Sequence, residues 1–252
     1  MLELRDINKS YSLRGEIQIP VLSGLELQLL IGDSLTVYGA NGSGKTTLLN
    51  IINGGDNEFE GEVFFNNKKL NNIPYYKKSN YIITVRQKRG EDLPDTLTLF
   101  EIYALLRKSI GLDSNKKSIK DMLISKLSSF GIGMEKLIDK QLKSLSGGEY
   151  QLFNMLLVTE KINKNKPCIL LLDEHTSHLD PIITEKVLNI TKELISKKNV
   201  ISIIISHNID KGIFLSPKSA VLKNGKLIFI DSTNDDELLK NEIRRKLMTT
   251  SF

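Results

Sequence analysis

Apolar and polar positions divide this 252-residue chain into elements of changing period. Near the start, Leu2-Glu3-Leu4-Arg5-Asp6-Ile7 and Gly24-Leu25-Glu26-Leu27-Gln28-Leu29 alternate with period two, which predicts short strands. Polar turns such as Ser12-Leu13-Arg14-Gly15 separate them, so an antiparallel β-rich lobe is expected. Ser34-Leu35-Thr36-Val37-Tyr38 predicts a further strand, and Thr46 to Asn53 a helix stopped by Gly54-Gly55. Gly61-Glu62-Val63-Phe64-Phe65 with Asn66-Asn67 reads as a hairpin, and Tyr81-Ile82-Ile83-Thr84-Val85 as another strand.

From Thr98 to about Glu160 the period becomes helical, as in Leu99, Ile102, Tyr103 and Leu106, then Met122, Leu123, Lys126 and Leu127. Cys168-Ile169-Leu170-Leu171-Leu172 is apolar throughout, the pattern of a strand buried on both faces of a parallel sheet, and so is Val200 to Ile205. Between them Val187, Leu188, Thr191, Leu194 and Ile195 mark one helix face, ended by Lys197-Lys198-Asn199. Ala220 to Lys223 and Lys226 to Ile230 flank Asn224-Gly225, a type I′ hairpin signal, and Asp235 to Leu247 reads as a charged amphipathic surface helix. The expected fold is α/β: a mostly parallel sheet with helices on both faces, an N-terminal antiparallel lobe and an inserted α-helical subdomain. One domain spans 1–252, with a core over about 1–97 and 161–252 and helices over about 98–160.

Bulk properties narrow the function. The length suffices for one self-sustaining α/β domain, and a single cysteine, Cys168, excludes an internal disulfide framework, in keeping with a reducing compartment. No run of 18 apolar residues occurs, and Met1-Leu2-Glu3-Leu4-Arg5-Asp6 is neither signal nor transit sequence. A soluble protein is expected, with any membrane role supplied by a partner. The net charge of +5 is spread over scattered lysine pairs, which favours a solvated surface over a nucleic-acid stripe.

The chemistry starts at Gly39-Ala40-Asn41-Gly42-Ser43-Gly44-Lys45-Thr46-Thr47, which fits the phosphate-binding P-loop pattern between a strand and a helix. Loop N–H groups and the helix dipole attract a di- or triphosphate, Lys45 reaches the β and γ phosphates, and Thr46 ligates Mg²⁺. A P-loop NTPase core is the expectation. Asp173 and Glu174 end a buried strand where open α/β sheets bind ligands, so Asp173 suits a Mg²⁺ shell and Glu174 suits polarising a water. His207 ends the next such strand. Gln87, emerging from a strand end, is placed for a metal or metal-bound water, or else for solvent. Tyr11, beside basic Lys9 and Arg14, is either a ring for a base to stack on or a core or turn residue. Ser146 and Glu149 in Leu145-Ser146-Gly147-Gly148-Glu149-Tyr150-Gln151 form a capping box, and Gly147-Gly148 before a helix N-terminus also form an anion nest. His175 and His178 are not read as a metal pair, since His207 is the only further histidine and the neighbouring acids have a Mg²⁺ role.

These pieces, in this order, resemble the ATP-binding cassette (ABC) ATPase family over essentially the whole chain. Tyr11 matches its adenine-stacking aromatic, Gly39 to Thr47 its Walker A loop (Gly39, Asn41, Gly42, Ser43, Gly44, Lys45, Thr46 and Thr47 as nucleotide contacts), and Gln87 its Q-loop glutamine. Ser146, Gly147, Gly148 and Glu149 match the signature that faces the opposite ATP, Cys168 to Glu174 the Walker B strand, Asp180 the D-loop and His207 the switch histidine. The resemblance implies a head-to-tail dimer with a second copy or a paralogue, hydrolysing ATP with Mg²⁺ held by Thr46, Gln87 and Asp173. Glu174 acts as base, assisted by His207 and Gln87.

Two positions depart from the family pattern: His175 stands for the usual proline, which loosens the backbone beside Glu174, and Glu149 stands for the usual glutamine. The run Asp173-Glu174-His175-Thr176 is similar to a subgroup of bacterial uptake ATPases associated with tryptophan- and tyrosine-type substrates. The expected setting is therefore the cytoplasmic face of the cell membrane, peripheral, with transmembrane permease subunits, an extracellular substrate-binding protein and no nucleic acid. The alternative is a soluble cassette ATPase of the iron-sulfur cluster assembly type. Chromosome-maintenance cassettes need long coiled coils that Thr98 to Leu142 is too short to hold, and translation-factor cassettes pair two P-loops in one chain.

Overall fold

A computed structural model describes residues 1–13, 17–86, 93–112, 115–162, 166–231 and 235–248. By contact the chain divides into two compact units: Met1–Thr84, Lys166–Glu174 and Ile195–Phe252 form one, Val85–Asn165 and His175–Leu194 the other.

The first unit holds two sheets. Strands β1 (Leu2–Leu13), β2 (Ile17–Leu29), β4 (Glu60–Phe65) and β5 (Lys68–Lys69) form an antiparallel sheet in the order β2-β1-β4-β5. Of the polar turn expected over Ser12-Leu13-Arg14-Gly15, Arg14 and Gly15 lie outside the described residues, and Ser12 and Leu13 belong to β1. β1 continues there, with Ser12 opposite Gln18 and Leu13 opposite Ile17. Register shifts between Leu4 and Ser10, with Asp6 at φ 47°, throw the alternation out of phase and make one long strand read as a short one.

The second sheet is six-stranded and mostly parallel. Its order is β10-β9-β3-β8-β7-β6, from β3 (Ser34–Tyr38), β6 (Ile82–Val85), β7 (Cys168–Asp173), β8 (Val200–Ile205), β9 (Lys218–Lys223) and β10 (Lys226–Ile230). Parallel pairing joins β9, β3, β8 and β7, while β10 returns antiparallel to β9 through Asn224-Gly225, both at positive φ as a type I′ turn requires.

Alternation within β3 assigns each face its partner. Leu35 and Val37, with Ile169, Leu171, Ile203 and Ile205, pack against Leu48, Leu49 and Ile52 of α1 (Lys45–Asn53) and against Leu4, Leu27 and Val63 of the antiparallel sheet. Tyr38, with Val221 and Ile230, packs instead against α7 (Ile209–Leu215) and against Leu239 and Ile243 of α8 (Asp236–Met248). Helices thus cover both faces. Cys168 is buried inside β7, and desolvation lifts its thiol to about 11, so it is a packing residue rather than a nucleophile. The short helix α2 (Tyr75–Lys78) precedes β6.

The second unit is helical: α3 (Leu99–Ser109), α4 (Lys116–Ser128), α5 (Gly147–Ile162) and most of α6 (Pro181–Ile195). A capping box opens α3, with Glu101 N donating to Thr98 Oγ1 at 3.2 Å and Thr98 N donating to Glu101 Oε2 at 2.8 Å. A polar brace ties α5 to its neighbours. The buried Glu160 carboxylate takes Arg107 of α3 at 3.2 Å and Lys126 of α4 at 2.8 Å, so each oxygen has a cation and no buried charge is left uncompensated.

α7 approaches β3 closely because residue 212 is glycine. A Cβ there would lie 2.2 Å from the Tyr38 hydroxyl oxygen and 2.8 Å from Thr36 Cγ2. The bare backbone instead lets Thr36 Oγ1 donate to the Gly212 carbonyl at 3.1 Å. Gly212→Ala is therefore expected to cost about 1–3 kcal/mol, lowering the melting temperature by roughly 2–10 °C. An unchanged melting temperature in calorimetry would contradict this packing.

Candidate active site

Parallel register gathers the chemistry. Val37 of β3 and Asp173 of β7 both sit level with Ile205 of β8, so three strands deliver their following residues to one edge of the sheet. The backbone continues the alignment beyond the strands, with Glu174 N donating to Ile205 O at 3.2 Å and Ser206 N to Val37 O at 3.4 Å. Gly39, Glu174 and His207 emerge side by side. Such an edge is where open α/β sheets hold ligands.

The loop from Gly39 to Gly44 turns through Gly42 at φ 77° and Gly44 at φ 99° and enters α1 with no side-chain cap and no acid in the first turn. The positive pole of that helix is left for an anion. The buried Lys45 ammonium donates to the carbonyls of Gly39 at 2.8 Å and Ala40 at 2.9 Å. Burial lowers its pKa, while Glu174 and Asp173 nearby act the other way. Thr46 Oγ1 donates to Asp173 Oδ2 at 3.3 Å, which puts two hard oxygen donors together at the mouth of the loop.

Glu174 departs from strand geometry at φ 47°, in the left-handed region that few non-glycine residues occupy. Its Oε1 lies 2.6 Å from His207 Nε2, and both side chains keep access to solvent. Tyr11 is not a core residue. It is 44% exposed, and its hydroxyl lies 3.3 Å from Thr47 Oγ1 in the first turn of α1.

In the helical unit, Ser146 and Glu149 form the expected capping box: Ser146 N donates to Glu149 Oε2 at 2.6 Å and Glu149 N to Ser146 Oγ at 3.3 Å. Gly147 and Gly148 belong to α5 itself and neither has a positive φ, so the stretch is a helix N-terminus rather than a separate nest. Asp180 caps α6, its Oδ1 accepting from Ile183 N at 3.0 Å.

The family model for ABC transporters matches residues 22–177. The chain belongs to that family. As such a cassette it is an ATPase. It is similar to a tyrosine transport ATP-binding protein of Clostridioides difficile, 25% identical over 250 residues and covering 98% of each chain. It is also similar to a spermidine/putrescine import ATP-binding protein of Legionella pneumophila, 31% identical over 229 residues. That match covers 90% of this chain but spans only 58% of the relative. Among solved structures, a dimeric post-hydrolysis ATP-binding cassette bound to ADP and Pi is similar with a TM-score of 0.76 and 27% identity, over 93% of this chain and 100% of that one.

In this ABC cassette Gln87 lies outside the described residues, as do Arg89, Glu91 and Asp92. His178 is exposed at φ 59° in the turn before α6, and among the described residues no group of three or more His, Cys, Asp or Glu is arranged to hold a metal. Sequence reasoning set Lys9 beside Tyr11 but missed Asp56. Lys9, two residues before Tyr11 on one strand, was readable as a same-face neighbour, but Asp56 comes from a distant loop and left no local signal.

Sequence reasoning also missed what His175 does. Its ring is buried, and Nε2 lies 2.9 Å from Thr191 Oγ1 on α6. The Thr191 hydroxyl spends its proton on Val187 O at 2.8 Å, so its oxygen accepts from His175 Nε2–H and fixes that tautomer. A proline could not make this link. Thr191→Val keeps the shape and removes the acceptor, with an expected loss of about 1–3 kcal/mol in denaturant unfolding. Thr191→Ser should lose much less, and equal losses for the two would rule out the hydrogen bond as the cause.

Proposed function

We propose that the chain is the ATP-hydrolysing subunit of a multi-subunit membrane importer of a small solute, with amino acids the favoured substrate class. The observation that carries the reading is the gathering of Lys45, Thr46, Asp173, Glu174 and His207 at one sheet edge in an ABC cassette. The substrate class is supported by similarity to the tyrosine transport protein over nearly the full length of both chains.

Each residue then has a role its geometry permits. The P-loop N–H groups and the pole of α1 bind the phosphates, and Lys45 exchanges its carbonyl partners for β and γ oxygens. Thr46 and Asp173, whose oxygens lie 3.3 Å apart, would hold Mg²⁺, and Gln87 would join them as the family resemblance implies. Bound there, the ion supplies charge neutralisation to the transferring phosphoryl group. Glu174 orients the attacking water and takes its proton, and His207, already in contact with Glu174, reaches toward the γ-phosphate.

Ser146, Gly147, Gly148 and Glu149, at the N-terminus of α5, face the second nucleotide of a head-to-tail dimer, and Asp180 spans that interface. A dimer is supported by the dimeric cassette of the same fold. Among the described residues no helix is long and apolar enough to cross a membrane. Similarity to transport and import ATP-binding proteins supports permease partners that hold the transport path, with this subunit on their cytoplasmic side. A separate extracellular protein delivers the solute.

Glu174→Gln is expected to retain ATP binding and lose turnover by about 10²–10⁴-fold, measured as phosphate release at saturating ATP. Normal turnover would remove Glu174 from the mechanism. Lys45→Ala should weaken nucleotide binding itself, seen in calorimetric titration. Purification from native membrane should bring down a multi-span permease and a solute-binding protein. Recovery with soluble cluster-assembly proteins and no permease would overturn the importer assignment.

A further inference from the structure

Lys9 and Tyr11 leave β1 on the same face, and around them the chain has built a closed polar circuit. The Lys9 side chain is only 4% exposed, and its Nζ lies 4.8 Å from the centroid of the Tyr11 ring. The same ammonium donates to Asp56 Oδ1 at 3.0 Å and to the Glu58 carbonyl at 2.6 Å. The other carboxylate oxygen, Asp56 Oδ2, accepts from the Tyr11 hydroxyl at 3.3 Å. Asp56 is itself held, its backbone N donating to Asn50 O of α1 at 3.1 Å and its Oδ1 accepting from Glu58 N at 3.0 Å. With Thr47 Oγ1 also 3.3 Å from the hydroxyl, the ring is fixed at its polar end from the helix that follows the phosphate loop.

The arrangement is unusual in what it leaves open. A cation covers one part of the ring, four oxygens from Asp56, Glu58 and Thr47 lie around the circuit, and yet Tyr11 as a whole remains 44% exposed. Burying an ammonium beside an aromatic ring is costly unless it is paired, and here Asp56 pairs it. An exposed tyrosine on the rim of a sheet would otherwise sample its rotamers and lose that freedom when a flat partner stacked on it.

We propose that Lys9 and Asp56 are positioning residues that hold the Tyr11 ring ready as a platform for the nucleobase, and that through Thr47 and Asn50 they set its position relative to the phosphate site. The proposal rests on reading Tyr11 as the ring that receives the base. Because the ring is anchored to α1, base and phosphates are recognised by one rigid element and not by a mobile side chain and a separate loop.

The test is calorimetric titration of the full-length chain with two probes, ATP and inorganic tripolyphosphate, the second having no base. Tyr11→Ala is expected to weaken ATP on the order of tenfold and to leave tripolyphosphate unchanged. Asp56→Asn and Tyr11→Phe should each weaken ATP about three- to tenfold, again with tripolyphosphate unchanged. The double variant should bind ATP no more weakly than the worse single one, because both cut the same link. If Tyr11→Ala leaves ATP affinity intact, the platform reading itself fails. If Tyr11→Ala weakens ATP but Asp56→Asn and Tyr11→Phe do not, Tyr11 stacks unaided and the positioning role is overturned. Loss of affinity for both probes in Asp56→Asn also overturns it, since the effect then lies in the phosphate loop or the fold.

Discussion

The parallel register of β3, β8 and β7 is the constraint on which this molecule depends. These strands are buried on both faces, so a one-residue slip would leave their side chains facing the wrong layer: Leu35 and Val37 would exchange places with Thr36 and Tyr38, moving an apolar pair off the α1 side and a phenol onto it. Packing therefore pins the register to the residue. Because the register is pinned, so are the strand ends, and the phosphate loop, the acidic pair and the histidine arrive together without any contact among them having to arrange it. The 2.6 Å approach of Glu174 to His207 is a product of the core below it.

Much of this was legible in advance for a physical reason. Continuous apolar runs such as Cys168 to Leu172 and Val200 to Ile205 have only one comfortable environment, a sheet covered on both sides, so pattern and structure coincide there. Loop chemistry was legible where backbone geometry is demanding, as at Asn224-Gly225 and in the phosphate loop. What escaped was non-local or out of phase. The length of β1 was hidden by its irregular register, α7 by its seven residues and internal glycine, and the Asp56 contact by the 45 residues separating it from Tyr11.

His175 shows a different kind of illegibility. Its departure from the family pattern could be noticed from the sequence, but its consequence could be described there only as a loss of backbone stiffness. The structure replaces that loss with a buried hydrogen bond to Thr191, itself relayed to Val187, so one restraint stands in for another. A substitution that looks permissive along the chain is restrictive in space.

The uncapped start of α1 has a meaning beyond the phosphates it serves. A side-chain cap in place of Gly44 would add only about a few tenths of a kcal/mol, and this helix forgoes it, together with any acid in its first turn. The chain thus gives up a small increment of intrinsic stability and keeps a positive helix pole directed at the phosphate loop. A ligand that binds the folded state at that pole adds its binding free energy to the fold, so the stability of the subunit is linked to nucleotide concentration.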